Sequence, residues 1–94
     1  MQIRWLRSAL KNLDEAAEYI ARDDPEAAAR TVERIVTSVE KLGDYPASGR
    51  PGRVPGTREL VISGTPYLVP YRVRGEKVEI LRVFHGARKW PDKF

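Results

Sequence analysis

The 94-residue chain has a formal net charge of +4, with 41% hydrophobic and 32% charged residues, a composition typical of one globular domain over residues 1–94. It contains no cysteine and one histidine, so disulfides are excluded and neither a zinc site nor any other cofactor is expected. No apolar leader and no run of about 18 apolar residues is present, and we therefore expect a cytoplasmic protein that does not enter a membrane.

The charge is unevenly distributed along the chain. Residues 1–7 carry +2, residues 8–42 carry −3 and residues 43–94 carry +5. This asymmetry suggests two surfaces for two kinds of partner. Solvated helix faces together with a basic, solubilising sheet would give the same pattern, so charge alone does not decide between them.

The N-terminal stretch predicts a strand and a helix. Gln2–Leu6 is typical of a short strand, and Ser8 follows where a helix N-cap is expected. Apolar residues then recur at helical spacing and predict a buried face made of Leu10, Leu13, Ala17 and Ile20. This helix is expected to end at Asp23-Asp24-Pro25.

A second helix has clearer start and stop signals. Asp24 is its predicted N-cap, Pro25 its first residue and Gly43 its C′ residue. Its buried face is predicted to consist of Ala28, Val32, Ile35, Val39 and Leu42. The short connection between the two helices predicts an antiparallel hairpin.

The remainder predicts a loop and three strands. "DYPASGRPGRVPGTREL" is rich in proline and glycine and indicates a long loop. The strands are expected at roughly Thr57–Ile62, Tyr67–Val73 and Val78–Phe84, with a turn containing Gly75 between the last two. Pro70 implies an edge strand or a bulge.

Alternation along the middle strand predicts two faces. Arg72 and Arg74 are placed on one side, and the other side consists of Tyr67, Val69, Tyr71 and Val73. The element order is βααβββ. It predicts an α+β, two-layer domain with an antiparallel sheet and an N-terminal helical hairpin packed on one face.

The segment "ILRVFHGARKW" contains the residues best suited to a catalytic or binding role. RNA cleavage by 2′-hydroxyl attack needs proton transfer and cations on the phosphate. His85 could transfer the proton, and Arg72 and Arg82 could bind the phosphate. Alternatively, His85 only ends a strand, and the arginines pair with Glu59 or Glu79.

The aromatic residues allow two interpretations as well. Trp90 covers the sheet edge or anchors an interface, since Trp is a common interface anchor. Tyr67 and Tyr71 are predicted to lie in the core, although some RNA-binding sheets use such pairs as stacking platforms.

Three segments carry a family resemblance that spans nearly the whole chain. They are "DDPEAA" between the helices, "GTREL" at the start of the sheet, and "YLVPYRVRGEKVEILRVFHGARKW" with its His-x-x-Arg pattern. In this order they resemble the RelE/ParE superfamily of type II toxin–antitoxin toxins. In that superfamily, RelE-type members cut messenger RNA in the ribosome, whereas ParE-type members poison DNA gyrase.

The resemblance favours the ParE type. The phosphate-binding arginine of the nucleases falls at Tyr67, and the tyrosine after the histidine is replaced by Gly86. The lysine-rich patch of other nucleases has no counterpart, since Arg50 and Arg53 stand in a loop. We therefore predict a non-enzymatic gyrase inhibitor. The alternative is a RelE-like, ribosome-dependent endoribonuclease, and a third hypothesis is a plain basic nucleic-acid-binding module.

The resemblance also implies partners and surfaces. A cognate antitoxin is expected to have a dimeric, DNA-binding N-terminal half and an acidic, flexible C-terminal half that wraps the toxin. The predicted target-binding residues are Arg58, Arg72, Arg82, His85, Arg88, Lys89 and Trp90. The predicted antitoxin-binding residues are Leu13, Ile20, Val32 and Val36. No catalytic residue is predicted for a gyrase inhibitor, whereas a nuclease would use His85, Arg82 and Arg72.

Overall fold

A computed structural model describes residues 1–87 and 89–94, and it confirms the α+β architecture. Two α-helices pack as a hairpin on one face of a mixed sheet. The elements are β1 (Gln2–Trp5), α1 (Arg7–Ala21), α2 (Pro25–Glu40), β2 (Arg50–Pro51), β3 (Arg58–Val61), β4 (Tyr67–Arg74), β5 (Lys77–Ile80) and β6 (Phe84–His85). Within those residues, no helix combines the length and apolar character needed to cross a bilayer.

The strand order is β1-β5-β4-β3-β2, and β6 pairs with β4 beyond the end of β5. The pairs among β2, β3, β4, β5 and β6 are antiparallel. β1 runs parallel to β5, with Ile3 opposite Val78, so the prediction of a wholly antiparallel sheet is wrong at this edge. Parallel strands need a long crossover, and the helical hairpin forms part of that crossover.

The N-cap of helix α1 lies two residues before the predicted one. Leu6 is the N-cap, and the Ser8 hydroxyl instead donates to the Leu81 carbonyl at 3.0 Å. The buried stripe is rotated accordingly and consists of Ala9, Leu13 and Ala16. Leu10, predicted to be buried, is 47% exposed.

Helix α2 starts as predicted. The Asp24 side chain accepts a hydrogen bond from the Ala27 amide at 3.0 Å, and Pro25 is the first residue. A side-chain acceptor at this position satisfies one of the free amides of the first turn. Of the predicted stripe, Val32 is partly buried, and the fully packed members are Ala28, Ile35, Val39 and Leu42.

The end of α2 differs from the prediction. The chain continues into a 3₁₀ turn, Lys41–Gly43, and Gly43 does not adopt a positive φ. Glycine is required at position 43 for a steric reason, because a Cβ there would lie 2.9 Å from the Met1 carbonyl oxygen. The Met1 amino group also donates to the Gly43 carbonyl at 2.7 Å.

The inner face of the sheet forms the core with the helices. Tyr71 lies at its centre and is fully buried. Its hydroxyl donates to the Pro46 carbonyl at 2.7 Å and accepts from the Gly49 amide at 2.8 Å. One tyrosine thus ties the glycine- and proline-rich loop to the sheet.

A β-bulge lies where β5 passes into β6. Tyr71 is opposite Ile80, and Leu68 is opposite Phe84. Between these two pairs, β4 has two residues, whereas the segment from Ile80 to Phe84 has three. The extra residue defines a bulge. Pro70 lies in this gap, and its carbonyl accepts from the Leu81 amide at 3.0 Å. The predicted bulge is confirmed, although β4 is an interior strand.

Candidate functional site

A cleft of about 360 Å³ opens between α1 and the end of the sheet. Helix α1 contributes Asn12, Glu15 and Tyr19, whose spacing of three and four residues puts them on one helix face. The sheet contributes Tyr67 and His85, which are direct cross-strand partners. Ala16 and Val83 complete the lining.

His85 has a defined orientation in this cleft. Its ring lies edge-on to Tyr67, with centroids 5.6 Å apart and planes at 78°. Its Nδ1 accepts from the Ala87 amide at 3.1 Å, which in the neutral ring places the proton on Nε2. The imidazole can therefore offer an Nε2–H donor to a ligand.

Two of the neighbouring polar groups of the cleft, Tyr67 and Asn12, can donate hydrogen bonds. Burial, with a smaller contribution from the nearby Tyr19, raises the pKa of Tyr67, so its phenol stays protonated at neutral pH. The Asn12 side-chain oxygen accepts from the Val83 amide at 3.1 Å. That bond leaves the Asn12 amino group free to donate. The carboxylate of Glu15 is the charged acceptor in the lining.

The two arginines considered for catalysis are engaged elsewhere. Arg72 Nε lies 2.7 Å from Glu79 Oε1, which confirms one predicted cross-strand pair. Arg82 donates to the Ser8 hydroxyl and the Leu81 carbonyl, both at 2.6 Å. Neither arginine is among the described residues that line the His85 cleft. The three residues that a nuclease would use, His85, Arg82 and Arg72, are thus not brought together in this cleft.

The other predicted target-binding residues are spread over both faces of the sheet. Arg58 lies opposite Tyr71 and donates to the Gly49 carbonyl at 2.8 Å. Lys89 is exposed, and Arg88 lies outside the described residues. Arg58 and His85 thus lie on the inner face of the sheet and Arg72 on the outer face, and the role of these residues in target binding stays a prediction.

Trp90 packs on the outer face of the sheet. Its ring centroid lies 5.1 Å from that of Phe84, and the Arg53 guanidinium sits 4.2 Å from its ring. Phe94 also packs against Phe84 and lies under the Arg82 guanidinium at 5.2 Å. The Trp90 Nε1 atom is buried without a hydrogen-bond partner. Trp90 thus covers the sheet rather than standing free as an interface anchor.

Glu79 is the centre of an arginine cluster on the outer face. Arg72 contacts it at 2.7 Å, Arg74 at 3.8 Å and Arg4 at 3.9 Å. The hydrogen bond from Arg72 holds the pKa of Glu79 below its usual value, with added help from the charges of all three arginines and against the opposing effect of burial. The carboxylate is therefore ionised at neutral pH.

Glu59 is the centre of a second cluster and is 1% exposed. Its Oε1 accepts from Arg50 Nε at 3.2 Å and Nη2 at 3.0 Å. Its Oε2 accepts from the Arg53 backbone amide at 2.8 Å, and Arg53 Nε lies 3.6 Å away. Glu59 does not pair with Arg72 or Arg82; it anchors the loop that precedes β3.

An apolar groove of about 650 Å³ runs along the outside of the helical hairpin. It is lined by Ala17, Glu18, Ala21, Ala28, Ala29, Val32, Glu33 and Val36. Two predicted antitoxin-binding residues, Val32 and Val36, lie in it. Ile20 is partly buried against the core, and Leu13 is buried in the core, so Leu13 is not available to a partner.

Comparison with known proteins places this geometry in a family. Residues 3–90 match the family described as the ParE toxin of the type II toxin–antitoxin system parDE. The chain belongs to the ParE toxin family. It is 56% identical over 90 residues to a putative toxin, Y4kP, from Sinorhizobium fredii, covering 96% of this chain and 93% of the relative.

Two further comparisons are with a toxin and with a toxin–antitoxin system. Toxin RelE2 of Caulobacter vibrioides is 37% identical over 87 residues, covering 93% of this chain and 97% of the relative. A solved structure, the chromosomal ParDE TA system from P. aeruginosa, superposes with a TM-score of 0.81 at 35% identity. That match covers 90% of this chain and 95% of the solved one.

Some site residues of this ParE toxin were missed from the sequence. Asn12, Glu15 and Tyr19 had a usable signal, because their spacing repeats the helical period on the side of α1 away from Leu10. The outer-face arginines Arg4 and Arg50 had no such signal, because their proximity to Glu79 and Glu59 depends on strand order. In the described residues, no group of three or more histidine, aspartate or glutamate side chains converges as a metal site would require.

Proposed function

We propose that this ParE-family toxin acts in the cytoplasm by inhibiting DNA gyrase, and that a cognate antitoxin neutralises it. The observation that carries the proposal is the His85 cleft, whose described lining contains no arginine or lysine. Cleavage of a phosphodiester requires stabilisation of the charge that develops on the phosphate. A cleft with one histidine, two tyrosines and a carboxylate does not provide it.

The engagement of the arginines supports the same conclusion. Arg72 is ion-paired with Glu79, and Arg82 is bonded to Ser8 and stacked on Phe94. Moving either one to the cleft would require breaking these contacts. A gyrase inhibitor needs no such rearrangement, because it acts by binding rather than by catalysis.

A RelE-like endoribonuclease is the second candidate, and one observation favours it. His85, whose neutral ring carries its proton on Nε2, lines the same cleft as Tyr67, whose pKa is raised by burial, so two proton donors belong to one cleft. The names of the curated relatives do not decide between the two activities, because they include a putative toxin and RelE toxins.

The deciding experiment measures both activities on the same purified protein. Gyrase supercoiling and DNA-cleavage assays are run beside a ribosome-programmed messenger RNA cleavage assay. We expect gyrase inhibition with intact messenger RNA. His85→Gln should change gyrase inhibition by no more than a few-fold, whereas loss of a general acid or base typically costs about 10²–10⁴-fold. Cleaved messenger RNA that becomes intact in His85→Gln, with gyrase unaffected throughout, would establish the endoribonuclease.

The groove on the helical hairpin is the proposed antitoxin site. Its floor is made of alanine and valine side chains, with Glu18 and Glu33 on its rim. A helix laid in such a groove contributes apolar side chains at i, i+3 and i+4. The rim carboxylates favour basic residues beside those anchors, within an antitoxin segment that becomes ordered on binding.

A further inference from the structure

The outer face of the sheet, opposite the helices, presents an unusual concentration of arginine. The strand register and the ion pairs put a defined set of basic side chains there, which we call the basic face: Arg4, Arg50, Arg53, Arg72, Arg74 and Lys77. Among the described strand residues and the Arg53 loop, the carboxylates on this face are Glu59 and Glu79. Glu76, in the β4–β5 turn, stands at its margin.

Burial makes the exposed charge of this face positive. The side chains of Glu59 and Glu79 are only 1% and 9% exposed, whereas those of Arg4, Arg50 and Arg74 are 59%, 52% and 66% exposed. Along these strands, water and ligands therefore meet the guanidinium groups before the carboxylates of Glu59 and Glu79. A surface of one sign raises the local concentration of oppositely charged ligands.

The buried carboxylates also pre-orient the arginines. Glu59 receives two N–H groups of Arg50, and Glu79 is contacted by Nε of Arg72 and Nε of Arg74. A guanidinium has five N–H donors, so each of these arginines has donors left over for a second anion. Holding a long side chain in place in advance lowers the entropy lost when a ligand binds.

We infer that the basic face binds the phosphodiester backbone of a nucleic acid without regard to base sequence. Contacts with DNA are dominated by phosphate, and arginine and lysine supply them. Neighbouring strands are about 4.8 Å apart, so the five-strand path from Arg4 on β1 to Arg50 on β2 spans roughly 19 Å. At 3.4 Å per nucleotide along a strand, this is the length of five or six base pairs.

An acidic protein surface is a poorer match to the same face. Stable protein interfaces are built around apolar and aromatic anchors, but here Leu68, Pro70 and Phe84 are buried. The Trp90 ring is already covered by Arg53. Charge without an exposed aromatic centre is what a backbone-binding surface needs. In the part of the chain that the structure describes, no helix lies on this side of the sheet to enter a groove, which is why sequence-independent binding is expected.

The test is fluorescence anisotropy with a labelled 20-base-pair DNA duplex and an RNA duplex of equal length, at several salt concentrations. The test variant is Arg4→Gln/Arg74→Gln, because both side chains are exposed and contact Glu79 only at 3.9 and 3.8 Å. The matched control is Arg22→Gln/Arg30→Gln, which changes the net charge equally on the helical side. Melting curves check that both variants remain folded.

We expect wild-type binding in the micromolar range at low salt, with affinity that falls as salt rises. The test variant should bind at least tenfold more weakly at 100 mM salt, and its salt slope should fall by about two, one for each lost phosphate contact. The control should stay within about threefold of wild type. DNA and RNA duplexes of unrelated sequence should bind alike.

Several results would overturn the inference. Equal losses in the test and control variants would mean that net charge alone is responsible. A poly-glutamate peptide that competes as well as DNA would point to an acidic protein partner. A tenfold preference among sequences would exclude backbone binding, and no binding at 50 mM salt would remove the site. Because the assay contains no gyrase, each of these outcomes is independent of the proposed inhibition.

Discussion

The two faces of the sheet are covered by different means. On the inner face, α1 and α2 bury apolar side chains such as Ile35 and Val39 against Val69 and Tyr71. On the outer face, Trp90 packs on Phe84, and arginines pair with the buried carboxylates of Glu59 and Glu79. The helical side consequently has an apolar groove on its exterior, whereas the outer side is charged and solvated. The molecule therefore presents two chemically distinct surfaces.

The inner face should be the more sensitive to truncation. Ile35 is fully buried between α2 and the sheet, and an Ile→Ala change in such a site typically costs about 2–5 kcal/mol. We expect Ile35→Ala to lower the free energy of unfolding by about 3 kcal/mol in urea titrations. Val36→Ala, next to it and only partly buried, is the control and should lose about half as much or less. Equal losses would show that the helix is not held by this side chain.

A substitution on the outer face should lower the stability less, and it should act through the loop that precedes β3. Glu59→Gln removes the charge that holds Arg50 and Arg53, and a hydrogen bond to a charged group contributes about 1.5–3 kcal/mol. The arginines can turn to water, so we expect a loss of about 2 kcal/mol. Because Arg53 lies over Trp90, tryptophan fluorescence should shift as well. Glu76→Gln, in the exposed turn, is the control for which neither change is expected.

The dependence of stability on pH should distinguish the faces further. Since the folded-state pKa of Glu79 is lowered, its contribution is fully present above the unfolded value of about 4.3 and is lost as the pH falls toward the folded value. Arg72→Gln removes the largest cause of the shift. We expect the variant to be less stable at pH 7 but to lose less stability than wild type between pH 5 and pH 3. Parallel stability curves for the two proteins would contradict this assignment.

A substitution in the apolar groove should hardly change the stability of the free protein. Ala29 is exposed in α2 and lines the groove, so Ala29→Glu should change the free energy of unfolding by no more than about 0.5 kcal/mol. With antitoxin present, wild type should melt at a higher temperature than free toxin, since a ligand at 1,000 times its Kd adds about 4 kcal/mol. The variant should lose most of that gain, whereas Thr37→Glu on the same helix should keep it.

Local signals account for the parts that were predicted correctly. The start of α2 followed from Asp24 and Pro25, and the bulge followed from Pro70, which has no amide proton to donate to a neighbouring strand. The stripe on α1 was misplaced by one residue because Leu10 outweighed Ala9, although Ala9 is fully buried and Leu10 is exposed. Such errors come from estimating burial by hydrophobicity alone.

The outer face could not be predicted by the same means. Charged residues are almost never fully buried unless paired, so nothing local marked Glu59 as a buried residue. Its pairing with Arg50 depends on β2 joining the sheet edge, which is a long-range contact. The parallel pairing of β1 with β5 is long-range too. The placement of Arg58 and Arg72 on opposite faces depends on strand register in the same way, and the role of the predicted target-binding residues stays a prediction.

The bulge between β5 and β6 decides which way His85 points. Ile80 and Val83 both contribute to the core, and Phe84 and His85 then point to the outer and inner faces respectively. Pairing the same residues without a bulge would put Val83 opposite Leu68 and Phe84 opposite Tyr67, which exchanges the faces of Phe84 and His85. His85 would then leave the cleft while keeping its place in the sequence motif. The bulge is therefore what keeps the His85 ring beside Tyr67 in a segment of this length.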